Sequence, residues 1–149
     1  MLSERLRRYK KMKAFKCRII EADNTFYEGE MVSLVVPACD GEYGVLAMHQ
    51  NVVVAIVPGL LKFQTEDGEW HDASVSDGMM RVEDGDVLVL VDSAEWPYEI
   101  DEARVRAKEA AAREAMLQKK SVREYALAES SLRRALSRIR IKDADNNGL

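Results

Sequence analysis

The sequence predicts a protein of mixed class, in which an N-terminal antiparallel β sandwich or barrel is followed by a C-terminal antiparallel two-helix hairpin. Short aliphatic runs alternate with turns up to Trp96-Pro97, and strong helix formers dominate after it. The charge changes at nearly the same place: residues 15–99 carry 17 acidic and 4 basic side chains, whereas residues 100–149 carry 8 and 12. We therefore divide the chain into a β domain, residues 14–96, and a helical hairpin, residues 97–142.

The β domain is predicted from runs of β-branched and aliphatic residues that have the length of strands. The three clearest runs are Met31–Val36, Val52–Val57 and Val87–Val91. Asp-Gly dipeptides favour the positive φ of tight hairpin turns. Four of them lie between or beside such runs, beginning at Asp40, Asp67, Asp77 and Asp84. Since no segment of helix length interrupts this part, we expect antiparallel hairpins and no parallel βαβ units.

The hairpin is predicted from two segments of helical composition and spacing. Residues 101–120 are rich in Ala, Arg, Glu and Lys, which are strong helix formers. Their apolar stripe consists mostly of small residues: Ile100, Ala103, Ala107, Ala110, Ala111 and Leu117. Residues 121–124 read as a capping box that opens a second helix. The apolar face of that helix carries Tyr125, Ala128, Leu132, Leu136 and Ile139. Because an alanine stripe buries little area, we expect the hairpin to pack weakly on the β domain and to be able to detach.

The composition, 47% apolar and 32% charged over 149 residues, is typical of a soluble globular protein. No apolar run approaches the roughly 20 residues that span a bilayer. Cys17 and Cys39 lie in strand-like runs and are predicted to be buried free thiols. Residues 1–13 are a basic extension that we interpret as an unstructured leader, with Met12 as a second candidate start. Contact with anionic lipid or with a partner is the alternative. Residues 143–149 are predicted to be a disordered tail.

One stretch carries a family resemblance. Residues 36–49 read Val-Pro-Ala-Cys-Asp-Gly-Glu-Tyr-Gly-Val-Leu-Ala-Met-His. This resembles the V-P-x-x-D-G-E-x-G-[IVL]-L-x-x-H stretch of the epsilon subunit of F-type ATP synthase, and Pro58-Gly59-Leu60 follows at the family's usual distance. The likeness covers residues 14–141, including the domain order. Ala47-Met48 replaces a common Pro-Gly, and Asp77-Gly78-Met79 replaces a common Gly-Gly-Phe, so the local loop shapes are expected to differ.

The resemblance implies a non-catalytic rotor subunit at the cytoplasmic face of a bacterial cell membrane. Its β sandwich would contact the gamma subunit and the c-ring of an enzyme that couples proton translocation to ATP synthesis. Its C-terminal helices would fold on the sandwich or extend into the alpha/beta catalytic head and block ATP hydrolysis. It implies no required cofactor. The residues that we expect to contact partners are Glu42, His49, Arg123, Arg133, Arg134 and Arg138.

A second resemblance concerns a regulatory ATP. Ile100 to Val105 is similar to the [IL]-D-x-x-R-A motif with which some epsilon subunits bind ATP between the folded helices. By this resemblance Asp101 would contact the base or ribose and Arg104 a phosphate, together with Arg134 and Arg138. The three guanidinium groups would repel one another in an empty site, and the bulk of Val105 would crowd the nucleotide. The alternative is that Asp101 only caps the first helix and Arg104 is solvated.

Other functions find less support. Asp40 and Glu42 could be a catalytic pair, but a tight turn explains the Asp-Gly sequence better. His49 and His71 lie without metal-type spacing to other ligands, so no metal site is predicted, and no nucleophile has a neighbouring base. A nucleic-acid binder is disfavoured, because the acidic β domain would repel phosphate. A stand-alone ATP-sensing module remains the alternative to a rotor subunit.

Overall fold

The computed structural model describes residues 13–118 and 122–147. The described residues form nine strands and two long helices. The strands are β1 (Phe15–Glu21), β2 (Asn24–Ala38), β3 (Gly41–Val45), β4 (Val52–Ile56), β5 (Gly59–Thr65), β6 (Trp70–Val75), β7 (Gly78–Glu83), β8 (Asp86–Val91) and β9 (Ala94–Glu95). A single 3-10 turn, Pro97–Glu99, leads to the helices α1 (Glu102–Gln118) and α2 (Val122–Asn146). The predicted order of a β domain followed by a two-helix hairpin is confirmed.

The long strand β2 joins the two layers of the β domain. Its first half pairs with β1, and its second half pairs with β3 and β5. On one side the strand order is β1-β8-β7-β4-β2, and on the other it continues β5-β6-β9. All pairs are antiparallel except β1 with β8, which run parallel in register from Cys17 opposite Val87. The expectation of antiparallel pairing is therefore wrong for this one pair, which sequence-local hairpin signals could not reveal.

Three of the four Asp-Gly dipeptides are tight turns. Gly41, Gly68 and Gly85 have φ values of 125°, 85° and 85°, so a side chain there would be strained. The prediction is wrong for Asp77-Gly78, because β6 and β7 on either side of it do not pair with each other. Gly78 is required for another reason: a Cβ there would lie 2.0 Å from the Leu90 carbonyl oxygen on β8.

The core of the β domain is built from large apolar side chains. The bulkiest fully buried ones are Phe63, Ile19, Met31, Leu34, Leu61 and Met80. Cys17 is also buried, and its burial raises the pKa of the thiol to about 12. Cys39, however, is exposed, so the prediction of two buried thiols is wrong for that residue. It follows Ala38 at the end of β2, where the strand gives way to the turn before β3.

The helices differ from prediction in their buried faces and in one end. On α1 the buried residues are Val105 and Ala112, whereas the predicted alanine stripe is exposed and Leu117 is 81% exposed. Alanines occur on all sides of α1, so the spacing of its apolar residues could not indicate which face is buried. On α2 Ala128 and Ile139 are buried as predicted, but Tyr125 is exposed. Because α2 continues to Asn146, the predicted tail is helical at residues 143–146. The leader 1–12 and the cap residue Ser121 lie outside the described residues.

Candidate functional site at the hairpin junction

The hairpin meets the β domain through a small apolar cluster. Its buried members are Ile100, Val105, Ala135, Ile139 and Ile141, and Leu60 on β5 packs against them. Val105 is fully buried in this cluster. Its methyl groups therefore lie inside the hairpin contact, and the crowding of a bound nucleotide by Val105 stays a prediction. Few large side chains contribute, in agreement with the small apolar area expected for this contact.

An ion pair ties α2 to the last strand of the β domain. Arg138 Nε lies 2.8 Å from Glu95 Oε1, and Arg138 Nη2 donates to Glu95 Oε2 at 2.9 Å. The two side chains are only 21% and 25% exposed, so water screens this pair less than it would a surface pair. Lys142 adds a long contact, 3.5 Å, from its ammonium to the Pro97 carbonyl oxygen. Arg138 therefore fixes the position of α2 relative to the sheet.

Arg134 and Arg133 lie one turn earlier and have different surroundings. Arg134 donates to the Ser130 hydroxyl at 2.8 Å and lies 3.7 Å from an Asp77 carboxylate oxygen. Arg133 is 72% exposed and pairs with Glu129 at 2.9 Å within the same helix. The expected repulsion of Arg134 and Arg138 in an empty site is wrong, because carboxylates of the β domain already face both of them. Of Arg123 only the backbone is described.

The start of α1 confirms the capping role of Asp101. Its Oδ1 accepts a hydrogen bond from the Arg104 backbone N–H at 3.2 Å, which satisfies one of the free donors of the first turn. Arg104 is exposed. The open end of the hairpin is instead tied by Arg106, whose guanidinium contacts Glu102 at 2.8 Å and Asp143 on α2 at 3.5 Å. The hydrogen bonds that Arg106 donates to Glu102 raise the pKa of the guanidinium above its usual value.

A groove of about 650 Å³ lies between the two helices and the sheet. Arg134 and Arg138 line it together with Lys108 of α1, a residue that the sequence reasoning missed. Asp101 and Arg104 do not line this groove. The antiparallel pairing places Arg134 and Arg138 opposite the middle of α1, two turns from the motif that predicted the site. Lys108 lies one turn after Val105, which packs against Ile139 in the hairpin cluster, so pairing the two helices through these residues could have found it.

The other predicted contact residues, Glu42 and His49, lie at or beside strand β3. Glu42 is an exposed residue of that strand. His49 Nδ1 lies 2.7 Å from the Gln50 carbonyl oxygen, to which it donates, so Nε2 accepts from the Tyr43 hydroxyl at 3.2 Å. Met48 stands where the related stretch commonly has Gly, and its φ of 63° is one that Gly adopts freely. Met48 is 78% exposed, so the loop presents a thioether to solvent.

Two negative findings apply to the described residues. No group of three or more His, Cys, Asp or Glu side chains there could hold a metal ion. No described helix combines the length and the apolar character that crossing a membrane would need.

Two family models match consecutive parts of the chain. The ATP synthase delta/epsilon chain beta-sandwich domain matches residues 14–97, and the long alpha-helix domain of the same chain matches residues 99–143. The ATP synthase epsilon chain of Caldanaerobacter subterraneus subsp. tengcongensis is 38% identical over 130 residues, which are 87% of this chain and 94% of that protein. The epsilon chain of Ruminococcus albus is 37% identical over 131 residues, 87% and 97% of the two chains.

A solved structure shares the fold. A chain of the Euglena gracilis mitochondrial ATP synthase, in a structure of its OSCP, F1 and c-ring, superposes with a TM-score of 0.74. The superposition covers 83% of this chain and 78% of that chain at 23% identity.

Proposed function

The chain belongs to the delta/epsilon chain family of ATP synthases, and from that premise we propose that it is the epsilon subunit in the rotor of a bacterial F-type enzyme. The single observation that carries this is the family match over both domains in the family's order. In this role the chain does no chemistry. It joins gamma to the c-ring at the cytoplasmic face of the membrane, couples proton translocation to ATP synthesis, and restrains ATP hydrolysis through its helices.

An apolar strip on the outer face of the sheet supports docking of gamma. Ile20, Leu90, Met79 and Ala55 face outward in one row across β1, β8, β7 and β4, as the strand pairing shows. Met79 and Leu90 are 38% and 37% exposed, and Val53 in the next row is 62% exposed. Large apolar side chains that share one exposed face are typical of a protein interface. This face points away from the core, and the hairpin packs chiefly against β5, β6 and the 3-10 turn.

Co-purification with gamma tests this surface. Met79→Asp with Leu90→Asp should abolish retention of the chain on immobilised gamma, because two charges would enter an apolar contact. Trp70→Asp is the matched control: Trp70 is 53% exposed on β6 and should tolerate the change without loss of retention. Retention of the double variant at the level of the unchanged chain would refute this docking face, and failure of the unchanged chain to bind gamma would refute the proposed role.

The closed end of the hairpin supports a second partner. Leu117, Tyr125 and Leu127 are 81%, 40% and 64% exposed near the connection between the helices. These exposed side chains would be buried against the alpha/beta head if the hairpin extended into it. A chain that ends at Pro97 should assemble and raise ATP hydrolysis by the complex. Arg133→Gln is the cleaner test of charge, because Arg134 and Arg138 also hold the folded state. Unchanged hydrolysis after removal of the hairpin would refute the inhibitory role.

ATP as a regulatory ligand is favoured by the groove that Lys108, Arg134 and Arg138 line, because guanidinium and ammonium groups suit a triphosphate. Glu95 also lines this groove, so the phosphates would have to displace Glu95 from Arg138 and Asp77 from Arg134. A phosphate there would join α1 to α2 and stabilise the folded hairpin by its preference for that form. Calorimetry on the full chain should show binding that Lys108→Gln weakens. Arg113→Gln, the same charge loss on α1 outside the groove, should leave it unchanged. Absence of a binding heat at millimolar ATP would refute ATP as the ligand. Loss of ATP binding in Arg104→Gln alone would place the site at the start of α1 instead.

A further inference from the structure

A second groove, of about 540 Å³, lies where the described chain begins. Its lining combines apolar and charged groups: Ala47 and Met48 supply apolar surface, Glu30, Asp84 and Asp86 supply carboxylates, and Lys13 and Lys16 supply ammonium groups. The Met48 side chain is 78% exposed and lines the groove, and the Met48 backbone has a φ of 63°. An exposed apolar side chain beside two carboxylates suits a partner that is both basic and apolar.

The two carboxylates have no cation of their own among the residues that the structure describes. Neither Asp84 nor Asp86 takes part in any of the ion pairs found there. The third acid in the groove differs, because Glu30 stands directly opposite Lys16 in the β1–β2 pair. The Asp84 backbone is fixed, since its N–H donates to Asn51 Oδ1 at 2.9 Å. The backbone of this turn is therefore held at Asp84, and within the described residues neither carboxylate forms an ion pair, although Lys13 and Lys16 line the same groove.

The chain itself carries the complementary segment at this point. Residues 1–12 contain one acid, Glu4, and five bases: Arg5, Arg7, Arg8, Lys10 and Lys11. Leu2, Leu6 and Tyr9 recur among them at spacings of four and three residues. Lys13, the first described residue, lines the groove, and its ammonium lies 3.6 Å from Met48 Sδ. Twelve residues can extend over at most about 40 Å, so the whole groove is within reach.

We propose that residues 1–12 dock in this groove, with their basic side chains against Asp84 and Asp86 and their apolar side chains over Met48. The contact is intramolecular, so the covalent link supplies a high effective concentration and weak individual contacts suffice. The segment then covers the exposed thioether and neutralises the turn between β7 and β8. This contact is independent of any partner subunit.

The rate of Met48 oxidation measures directly whether residues 1–12 cover the Met48 thioether. The full chain and a chain that starts at Met12 are treated with dilute peroxide, and each methionine is quantified by peptide mass spectrometry. Oxidation of Met48 should be severalfold slower in the full chain, whereas Met79 on the outer sheet face should react equally in both. At ~1 M salt, where the Debye length is about 3 Å, the difference should shrink. Equal Met48 rates in the two chains at low salt would overturn the proposal.

Charge variants of the full chain test the partner. Asp84→Asn with Asp86→Asn should raise the Met48 rate toward that of the shortened chain. The matched control is Glu21→Gln with Asp23→Asn, the same charge loss at the far end of β1, which should leave the protection intact. Protection that weakens on dilution would assign the cover to a second copy, and protection that requires anionic vesicles would assign it to a lipid surface. Either result overturns the intramolecular contact.

Discussion

The β domain and the hairpin are held by different kinds of contact. The β domain encloses bulky side chains such as Phe63, Leu34 and Met80, which have no exposed surface at all. The hairpin rests on a small cluster in which Ala135 stands beside Ile139, and it adds the Arg138–Glu95 pair. Ionic screening weakens charge pairs as salt rises, whereas it does not weaken apolar burial. The difference teaches that the β domain is held by a large apolar core, whereas the attachment of the hairpin depends in part on charge.

The boundary between the two regions lies just after Trp96. Its ring stacks on Phe26 with centroids 4.4 Å apart and packs against the β core. Its backbone N–H donates to Glu99 Oε2 at 3.0 Å, which closes the 3-10 turn leading to α1. Trp96 thus belongs to the β domain by packing. A shortened chain must retain it, which is why Pro97 is the end point chosen above.

The largest effect should follow from emptying the β core. Phe63→Ala removes a fully buried ring that also contacts Tyr27, with centroids 4.5 Å apart, and should cost about 3–5 kcal/mol of unfolding free energy. Thermal or denaturant unfolding measures it. Leu117→Ala, at a side chain that is 81% exposed, should stay within about 0.5 kcal/mol. Similar losses of unfolding free energy in the two variants would contradict the difference between core and hairpin.

A smaller effect is expected inside the hairpin contact. Val105→Ala leaves a void in the cluster with Ile139 and should destabilise the docked helices by about 1–3 kcal/mol. Amide exchange should quicken in α1 and α2 while β-domain amides keep their protection. Ala107→Ser, at an exposed position on the same helix, is the control. Equal loosening of the β-domain amides would mean that the two regions unfold as one unit.

The ion pair at the junction should contribute less again. A double-mutant cycle of Glu95→Gln and Arg138→Gln, read from exchange of the α2 amides, should give a coupling of about 1–2 kcal/mol. The Arg133–Glu129 pair lies within α2, with side chains 72% and 41% exposed, and should couple by only about 0.3–0.5 kcal/mol. A junction coupling no larger than that of the surface pair would leave the apolar cluster as the sole attachment.

The thiols of Cys17 and Cys39 should differ in reactivity, and the raised pKa of Cys17 should cost no stability at neutral pH. Exposed Cys39 should react quickly with a disulfide reagent, whereas Cys17 should react only after unfolding, because burial raises its pKa from 9.0 to about 12. Since the unfolded thiol loses its proton first, the stability present below pH 9 should be lost as pH rises toward 12. Cys17→Ala should flatten this alkaline decline; a slope unchanged by that variant would contradict the assignment.

The strands and the order of the domains could be predicted because their signals are local. Met31–Val36 and Val87–Val91 lie within β2 and β8, and three Asp-Gly dipeptides are turns. The parallel β1–β8 pair could not be predicted, since it joins segments about seventy residues apart by packing and not by a turn. The turn prediction at Asp77-Gly78 failed for a related reason. Gly78 is needed because β8 approaches its backbone closely, and a dipeptide pattern does not encode such an approach.

The candidate site was predicted only in part. Arg134 and Arg138 do lie together on a groove, because one helical turn separates them and no tertiary knowledge is needed. Their carboxylate partners, Asp77 and Glu95, lie far away in sequence and became visible only in the folded chain. The buried face of α1 depended on Val105, the only β-branched residue in a helix of alanines and charges. A nearly uniform helix carries too little amphipathic contrast for sequence to orient it.

Strand β2 has a mechanical consequence. It is 15 residues long and is hydrogen-bonded to β1 at its start and to β5 farther along. Two layers that met only through side chains could slide over each other under load. Here a force applied at β1 reaches β5 along peptide bonds and backbone hydrogen bonds, and shear between the layers would require that ladder to break. A body built in this way transmits torque with little deformation.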